Sequence, residues 1–237
     1  MFIHVFNRGC RLRLGRSGGA PISRSPRGKN SDKRPRILDA AVKVFARKGF
    51  FQARVAEIAR EAEVADGTIY LYFKNKDDLL ISIFEEKMRQ VIASFRSAIA
   101  RETDARARLR CLIRMHLEGF QAYPELAAVL QVELRQSSRF MREYEKVELR
   151  QYFDLIGDIV VQGQGEGLFR QDLPLSLVKR MIFGTLDEVV STWVTAGSSY
   201  DLEGLAEPLL DLFLGGIKNT ASAATANRGE GNEKTGG

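Results

Sequence analysis

The residues that could bind a metal or act as a nucleophile are scattered along this chain of 237 residues. The cysteines are Cys10 and Cys111, and the histidines are His4 and His116. Their spacing fits neither a zinc site nor a disulfide framework. Cys111 and His116 are five positions apart on a predicted helix, so they do not face each other. We therefore predict no metal site.

Carboxylates and glycines do not form an active site either. Glu133 and Asp187 are isolated acidic side chains. Gly163, Gly165 and Gly167 follow no strand, so they lack the context of a phosphate-binding loop and indicate a frayed helix end. The sequence thus predicts no catalytic residue, no cofactor and no enzyme.

A different chemistry is concentrated between positions 67 and 76. Thr68 offers a hydroxyl or a methyl group to a base edge, and the hydroxyls of Tyr70 and Tyr72 suit phosphate oxygens. Gly67 has no side chain, so the backbone could approach a ligand closely. Lys76 stands at a helix start, where a cation and free amides suit phosphate.

The elements that must position these groups are helices. Apolar residues recur at three- and four-residue spacing, and there is no alternating strand pattern of any length. Two short helices, from about Val55 to Ala62 and from Asp66 to Phe73, flank a tight turn, and Gly49 closes the helix before them. The predicted fold class is all-α, with a long helix to about Ala100 and further helices over 104–121, 125–136, 139–164, 175–196 and 202–218.

The segment Ile58–Leu80 resembles the helix-turn-helix of the TetR/AcrR regulators, and the match extends without gaps from about Ile37. The resemblance implies an N-terminal three-helix helix-turn-helix domain followed by a C-terminal helical ligand-binding and dimerisation domain. Within the motif span Arg54 to Phe73 and the next helix start, it implies a DNA-binding surface made of Arg54, Ala65, Asp66, Gly67, Thr68, Tyr70, Leu71, Tyr72 and Lys76.

Two positions depart from the family pattern. Ala53-Arg54 stands where a Thr or Ser usually caps the second helix, a loss of about 1 kcal/mol. Glu63 stands where the turn usually has Gly, so we expect strain at positive φ and repulsion of DNA by the carboxylate.

Charge divides the chain into a basic front and an acidic body. Residues 1–34 hold nine basic residues and one acid, residues 35–76 have a net charge of +3, and the remainder has −5. A basic front favours a polyanionic partner. The predicted domains are a disordered basic extension (1–33), the DNA-binding domain (34–80), the effector-binding and dimerisation domain (81–219) and a disordered tail (220–237).

Two further segments carry a narrower resemblance. Leu130–Ser137 and Met181–Val194 are similar to the FadR-type regulators of fatty acid degradation. That resemblance implies a repressor of β-oxidation genes that leaves DNA when long-chain acyl-CoA binds. The implied effector needs an apolar tunnel for its chain and cations for its phosphates. The candidate ligand-binding residues are Gln131, Arg135, Arg110, Arg114, Phe183 and Asp187, and a solvated surface role is the alternative for each arginine.

The resemblance also implies a homodimer on a palindromic operator of double-stranded DNA. Two segments near the C-terminus are apolar on more than one face, which favours an intersubunit four-helix bundle over an internal core alone. The predicted dimer interface comprises Ile182, Leu186, Val189, Trp193, Leu205, Leu209, Leu212 and Phe213.

Two alternatives stay open. One is a TetR-type repressor that answers a different hydrophobic effector, and the other is an acyl-CoA-binding helical protein without a DNA role. No apolar run is long enough for a membrane span, and we expect a cytoplasmic protein.

Overall fold

The computed structural model describes residues 33–142 and 146–217, and the regular elements in those ranges are helical, which confirms the predicted class. They are α1 (Lys33–Lys48), α2 (Val55–Glu61), α3 (Asp66–Tyr70), α4 (Lys76–Ile99), α5 (Ala105–Ala122), α6 (Pro124–Ala128, a π-helical turn Val129–Glu133, and Leu134–Gln136), α7 (Ser138–Arg142), α8 (Val147–Gly165), α9 (Leu175–Thr195), a 3₁₀ turn (Glu203–Leu205) and α10 (Ala206–Ile217).

The chain divides into two compact units. The first comprises the described residues of Met1–Val91 and Ala122–Lys146. In it α1 packs against α2 and against the Pro124–Ala128 and Val129–Glu133 parts of α6. The apolar faces of these helices supply its core, with Ile37, Phe45 and Ile58 fully buried.

The second unit comprises the described residues of Ile92–Gln121 and Val147–Gly237. Here α8 packs along α9. Its core includes Trp193, whose indole N–H donates to the carbonyl of Tyr200 at 2.8 Å. Gly163 is buried within α8. The ring of Phe169 occupies the space that a Cβ would need there, so this position requires glycine.

Four predicted helices differ from the observed ones. The helix predicted over 202–218 begins with the 3₁₀ turn Glu203–Leu205, before α10. The helix predicted over Asp66–Phe73 ends at Tyr70. The helix predicted over 125–136 contains the π-helical turn. The continuous helix predicted over 139–164 is wrong, because Lys146, just before α8, has a left-handed φ of +55° that an α-helix cannot include.

The two predicted terminal segments fall almost wholly outside the described residues. Of residues 1–33 only Lys33 is described, and it is helical, at the start of α1. The predicted tail, 220–237, lies entirely outside. Among the described helices, none combines the length and the apolar character that a membrane crossing requires.

Candidate nucleic-acid interface

The turn between α2 and α3 is built around one residue in a left-handed conformation. Glu63 has φ +53°, and the next amide, that of Val64, donates back to the carbonyl of Ala59 at 3.0 Å. Arg36 of α1 supports the turn from outside: its guanidinium donates to the carbonyl of Ala62 at 2.7 Å and lies 3.3 Å from the Glu63 carboxylate. The turn therefore keeps its conformation without glycine, at the strain expected for a non-glycine residue.

The start of α2 lacks a capping side chain, as the sequence predicts. Arg54 is the N-cap residue and makes no side-chain cap hydrogen bond. Glu57 replaces part of what is lost, because its carboxylate accepts the backbone N–H of Arg54 at 3.1 Å. The Glu57 carboxylate thus satisfies the N-cap amide, and the amide of Glu57 itself donates to the carbonyl of Arg54 at 3.0 Å.

Basic side chains on α1 are neutralised by acids of α2. Arg47 and Lys43 bind Glu61, and Lys48 binds Glu57. The hydrogen bond from Lys48, followed by that from the backbone of Arg54, holds the pKa of Glu57 below its usual value. Hydrogen bonds from Arg47 and Lys43 do the same for the pKa of Glu61. The positive charges of Lys43, Arg47 and Lys48 are therefore already paired with carboxylates of the same unit.

Large side chains at the end of α3 are exposed. Leu71 is 81% exposed, Tyr70 59% and Tyr72 41%, whereas Ile69 and Phe73 are buried. Gly67 is exposed, and a Cβ there would meet no protein atom within 4 Å. Arg54, Ala65 and Asp66 are also exposed, and Thr68 is half-buried. The predicted contact residues thus include an exposed Tyr-Leu-Tyr sequence on a buried Ile/Phe anchor, an arrangement that a protein interior alone does not explain.

A groove of about 490 Å³ adjoins these residues in the first unit. It opens where the starts of α2 and α4 come near α3. Its lining is Ala53, Arg54, Val55, Ala56, Asp66, Tyr70, Asn75 and Lys76.

Lys76 has a structural task beside any contact with DNA. Its ammonium donates to the carbonyls of Phe51 and Ala53, each at 3.1 Å, and lies 4.6 Å from the centre of the Phe50 ring. Two of its three N–H donors are therefore used to fix the loop that leads into α2. Sequence reasoning assigned Lys76 to phosphate alone and missed this contact.

The first turn of α4 is fixed by reciprocal caps. Asn75 accepts the amide of Asp78, and the Asp78 carboxylate accepts the amide of Lys74, both at 2.8 Å. Asp77 accepts the hydroxyl of Ser137, also at 2.8 Å, and so ties α4 to the segment between α6 and α7. Such caps hold the helix start rigid beside the groove.

Comparison with known proteins identifies the origin of this arrangement. Residues 37–83 match the family described as "Bacterial regulatory proteins, tetR family", and residues 84–216 match the family described as "YsiA-like protein, C-terminal region". The chain belongs to the tetR family of bacterial regulatory proteins.

Three relatives of this tetR-family chain are similar over almost their full length. The "Fatty acid metabolism regulator protein" of Bacillus subtilis is 43% identical, over 79% of this chain and 98% of that protein. The fatty acid degradation regulator FadR from Bacillus halodurans has a TM-score of 0.73 at 44% identity, covering 78% of this chain and 99% of that one. The transcriptional regulator FadR from Bacillus subtilis, solved in complex with stearoyl-CoA, has a TM-score of 0.74 at 42% identity, covering 77% and 98%.

The predicted ligand residues of this tetR-family chain lie in both units. In the first, Arg135 donates to Gln131 at 2.8 Å, one helical turn apart. Gln131 is buried and Arg135 exposed. In the second, Arg110 is 2.9 Å from Glu207 and Arg114 is 3.5 Å from Glu203. Each of these arginines has a partner within its own unit, and phosphate would have to compete with it.

Glu133, which the sequence analysis treated as an isolated carboxylate, has a defined role in the first unit. From the π-helical turn of α6 it accepts the backbone N–H of Phe50 at 2.6 Å. It also lies against Gly49, where a Cβ would be 3.5 Å from its carboxylate oxygen. The loop between α1 and α2 is thereby tied to α6, and no local sequence signal marks a contact across 83 positions.

Phe183 and Asp187, the other ligand candidates, flank a buried cluster of the second unit. The Phe183 ring packs 4.7 Å from Phe153 and 5.9 Å from Tyr152, measured between centroids. Tyr152 in turn is 2.8 Å from Nδ1 of His116. Burial lowers the pKa of His116 to about 4, against a smaller opposing effect of Asp187, so the imidazole is neutral near pH 7. Sequence reasoning missed this pair, because 36 positions separate its members.

Residues of the predicted dimer interface are mostly buried inside the chain. Five of them, Ile182, Leu186, Trp193, Leu209 and Phe213, are less than a tenth exposed, while Val189 and Leu205 are half-buried and Leu212 is 73% exposed. Side chains buried in the unit cannot also bury area against a second copy in this conformation. Of the predicted interface residues, Leu212 on α10 is the exposed one, and Leu177 and Met181 on α9 are further exposed apolar side chains.

Proposed function

We propose that this protein represses genes of fatty acid degradation, and that a long-chain acyl-CoA releases it from its operator. The observation that carries the proposal is the exposed Tyr70-Leu71-Tyr72 surface beside the groove, in a chain 43% identical to a fatty acid metabolism regulator. The relative solved with stearoyl-CoA supports the ligand class.

The surface supplies the two kinds of contact that operator recognition needs. The hydroxyls of Tyr70 and Tyr72 and the Arg54 guanidinium suit phosphates, which fix position on the duplex. Thr68 and Leu71 suit base edges and thymine methyls in the major groove, which admits one helix. The backbone at Gly67 then lies against the DNA. Such a regulator works in the cytoplasm, where bacterial DNA is, and carries out no catalysis.

A homodimer on a palindromic operator follows from the same proposal. Leu212, Leu177 and Met181 supply exposed apolar area on α9 and α10. A two-fold dimer places two recognition helices on half-sites about one helical turn, or 10 base pairs, apart or a multiple of it.

Footprinting on genomic fragments, with and without oleoyl-CoA, tests the function. We expect protection of a palindrome that is lost when oleoyl-CoA is added. The double variant Tyr70→Ala/Tyr72→Ala should weaken operator binding about 100-fold, which corresponds to about 3 kcal/mol for two lost hydroxyl and ring contacts. Tyr200→Ala, at a tyrosine of the second unit that is as exposed as Tyr72, is the control and should bind as the wild type does.

Other outcomes identify the alternatives. Protection that is indifferent to oleoyl-CoA would favour a repressor with a different hydrophobic effector. Acyl-CoA binding without protection of any fragment would favour a helical acyl-CoA-binding protein with no DNA role. Full operator affinity in the double tyrosine variant would mean that the recognition surface is misassigned.

A further inference from the structure

One buried nitrogen in the second unit is unsatisfied. Among the side chains that the structure describes, Nε2 of His116 is the one nitrogen or oxygen that is buried without a hydrogen-bond partner. His116 itself is 9% exposed, and its other ring nitrogen bonds the Tyr152 hydroxyl. A buried polar atom left unpaired costs about 1–3 kcal/mol, so a natural sequence that keeps one invites a functional explanation.

The hydrogen-bonding capacity of the pair can be worked out from its protons. Both groups are neutral near pH 7, since burial lowers the pKa of His116 to about 4 and raises that of Tyr152 above its ordinary value. The neutral pair has one imidazole proton and one hydroxyl proton, and their mutual hydrogen bond uses one of them. In the tautomer that has its proton on Nε2, the Tyr152 hydroxyl donates to Nδ1 and Nε2–H is the donor left without a partner. The missing partner of this tautomer is an acceptor, whereas the opposite tautomer would need a donor at Nε2.

The surroundings define what carries that acceptor. Aromatic rings enclose the pair: Phe120 lies 5.1 Å from the His116 ring, and Phe95 lies 5.8 Å from the Tyr152 ring. Phe120, Phe153 and Phe183 are only half-buried, so this ring cluster extends from the pair to the surface of the unit. A hydrocarbon chain inserted among these rings would bring an attached polar group to the pair.

Charge selects among acceptors. Asp187 acts on both members of the pair, because its carboxylate raises the pKa of His116 and of Tyr152 beside the larger effect of burial. A ligand carboxylate at the same place would meet this like charge in an apolar setting, which is unfavourable. A neutral carbonyl oxygen accepts a hydrogen bond without that repulsion.

We propose that Nε2–H of His116, whose Nδ1 is held by the Tyr152 hydroxyl, donates a hydrogen bond to the thioester carbonyl of a long-chain acyl ligand whose hydrocarbon lies among the rings of Phe120, Phe153 and Phe183. The inference rests on the proposed function, since it assigns the acyl recognition point of the same effector. It also gives the protein a means of distinguishing an activated fatty acid from a free one.

Calorimetric titration of the full chain with three ligands tests the assignment. The ligands are oleoyl-CoA, its thioether analogue in which CH₂ replaces the carbonyl, and oleate. The wild type should bind the thioester about 10-fold more tightly than the thioether, the equivalent of one hydrogen bond of about 1.4 kcal/mol. Oleate should bind more weakly than oleoyl-CoA.

The variant His116→Phe removes the donor and keeps an aromatic ring. We expect it to bind thioester and thioether equally, with the thioether affinity within about twofold of the wild type. His116→Gln, which keeps an amide donor, should restore part of the preference. If His116→Phe does not fold, as judged by its thermal melt, His116→Met serves the same comparison.

Each contrary result has its own meaning. A wild type that binds thioester and thioether alike, or a His116→Phe protein that keeps the preference, overturns the inference while the proposed function stands. Oleate that binds as tightly as oleoyl-CoA overturns the choice of a neutral carbonyl. A wild type that binds none of the three ligands contradicts the proposed function itself.

Discussion

The recognition surface around α3 and the buried pair around His116 depart from ordinary packing in opposite directions. At Leu71, the C-cap residue of α3, a large apolar side chain is exposed next to the buried side chains of Ile69 and Phe73. At His116 a polar atom is buried with no partner among the described residues. Each departure costs free energy in the isolated chain, and each would be relieved by a ligand of the matching kind: the thymine methyl groups of a duplex for the first and the carbonyl oxygen of an acyl thioester for the second.

The two regions also differ in how their environment holds them. Hydrogen bonds compensate the irregularities of the recognition region: Arg36 donates to the carbonyl of Ala62 in the turn before α3, and the amide of Arg54 donates to Glu57 at the start of α2. The buried pair has its own hydrogen bond and is otherwise held by packing, with rings on several sides and a carboxylate nearby. A site that reads a rigid polyanion needs fixed backbone geometry, whereas one that accepts a hydrocarbon needs a shaped apolar environment.

The largest expected effect is a fall in the free energy of unfolding at acid pH, caused by the buried His116. Because the folded pKa of His116 is about 4 and the ordinary value is 6.5, the unfolded chain takes up a proton first as the pH falls. The associated stability is present above pH 6.5 and is lost towards pH 4, by an amount on the order of 3 kcal/mol. Urea unfolding at pH 7 and pH 4.5 should show this loss in the wild type and a smaller one in His116→Phe.

Tyr152→Phe is the matched control for that measurement, since it removes the hydroxyl but leaves the histidine buried. It should keep the acid sensitivity of the wild type. An equal loss of stability in wild type and His116→Phe would mean that His116 is not the group that titrates.

A second prediction separates two roles of Lys76: holding the loop before α2 and contacting DNA phosphate. Replacing it with Met leaves the carbonyls of Phe51 and Ala53 without their donor, so we expect the free energy of unfolding to fall by about 2 kcal/mol. Lys74→Met, at an exposed lysine two residues earlier, should change stability by less than about 0.5 kcal/mol. Urea unfolding measures both. An unchanged stability with a reduced operator affinity would instead assign Lys76 to phosphate alone.

The smallest expected effect concerns the strained turn. Glu63→Gly relieves a left-handed residue, which should stabilise the fold by up to about 1 kcal/mol, less the contribution of the exposed ion pair to Arg36. It also removes a negative charge beside the recognition helix, so operator affinity should rise a few-fold at low salt and less at high salt.

Ser198→Gly provides the comparison for Glu63→Gly, because Ser198 has φ +55° in the second unit and no charge. It should stabilise the fold and leave the operator affinity unchanged. If both variants raise DNA affinity alike, the gain at Glu63 comes from backbone relief and not from charge.

Much of the fold and of the recognition surface could be predicted because the signals are local. Periodic apolar residues fixed the helical class, and the ungapped resemblance placed Tyr70, Leu71 and Tyr72 in one contact surface, where the structure has all three exposed. The contact of Leu71 with DNA stays a prediction. The helix over 139–164 was mispredicted because its apolar period continues across Lys146, where the backbone is left-handed.

What the sequence by itself determined is therefore the family, the helical architecture and the side chains that α3 presents. The helical architecture and the exposed side chains depend on residues within one or two helical turns of one another, and the family depends on an ungapped sequence resemblance. Only the tertiary structure decided that Lys76 supports a loop 23 to 25 positions away, that Glu133 holds the amide of Phe50, and that His116 pairs with Tyr152 while its other nitrogen stays unpaired. Those contacts join different helices and loops. Helical periodicity predicts which side of a helix is apolar, but it does not predict which residue of another element will contact that side.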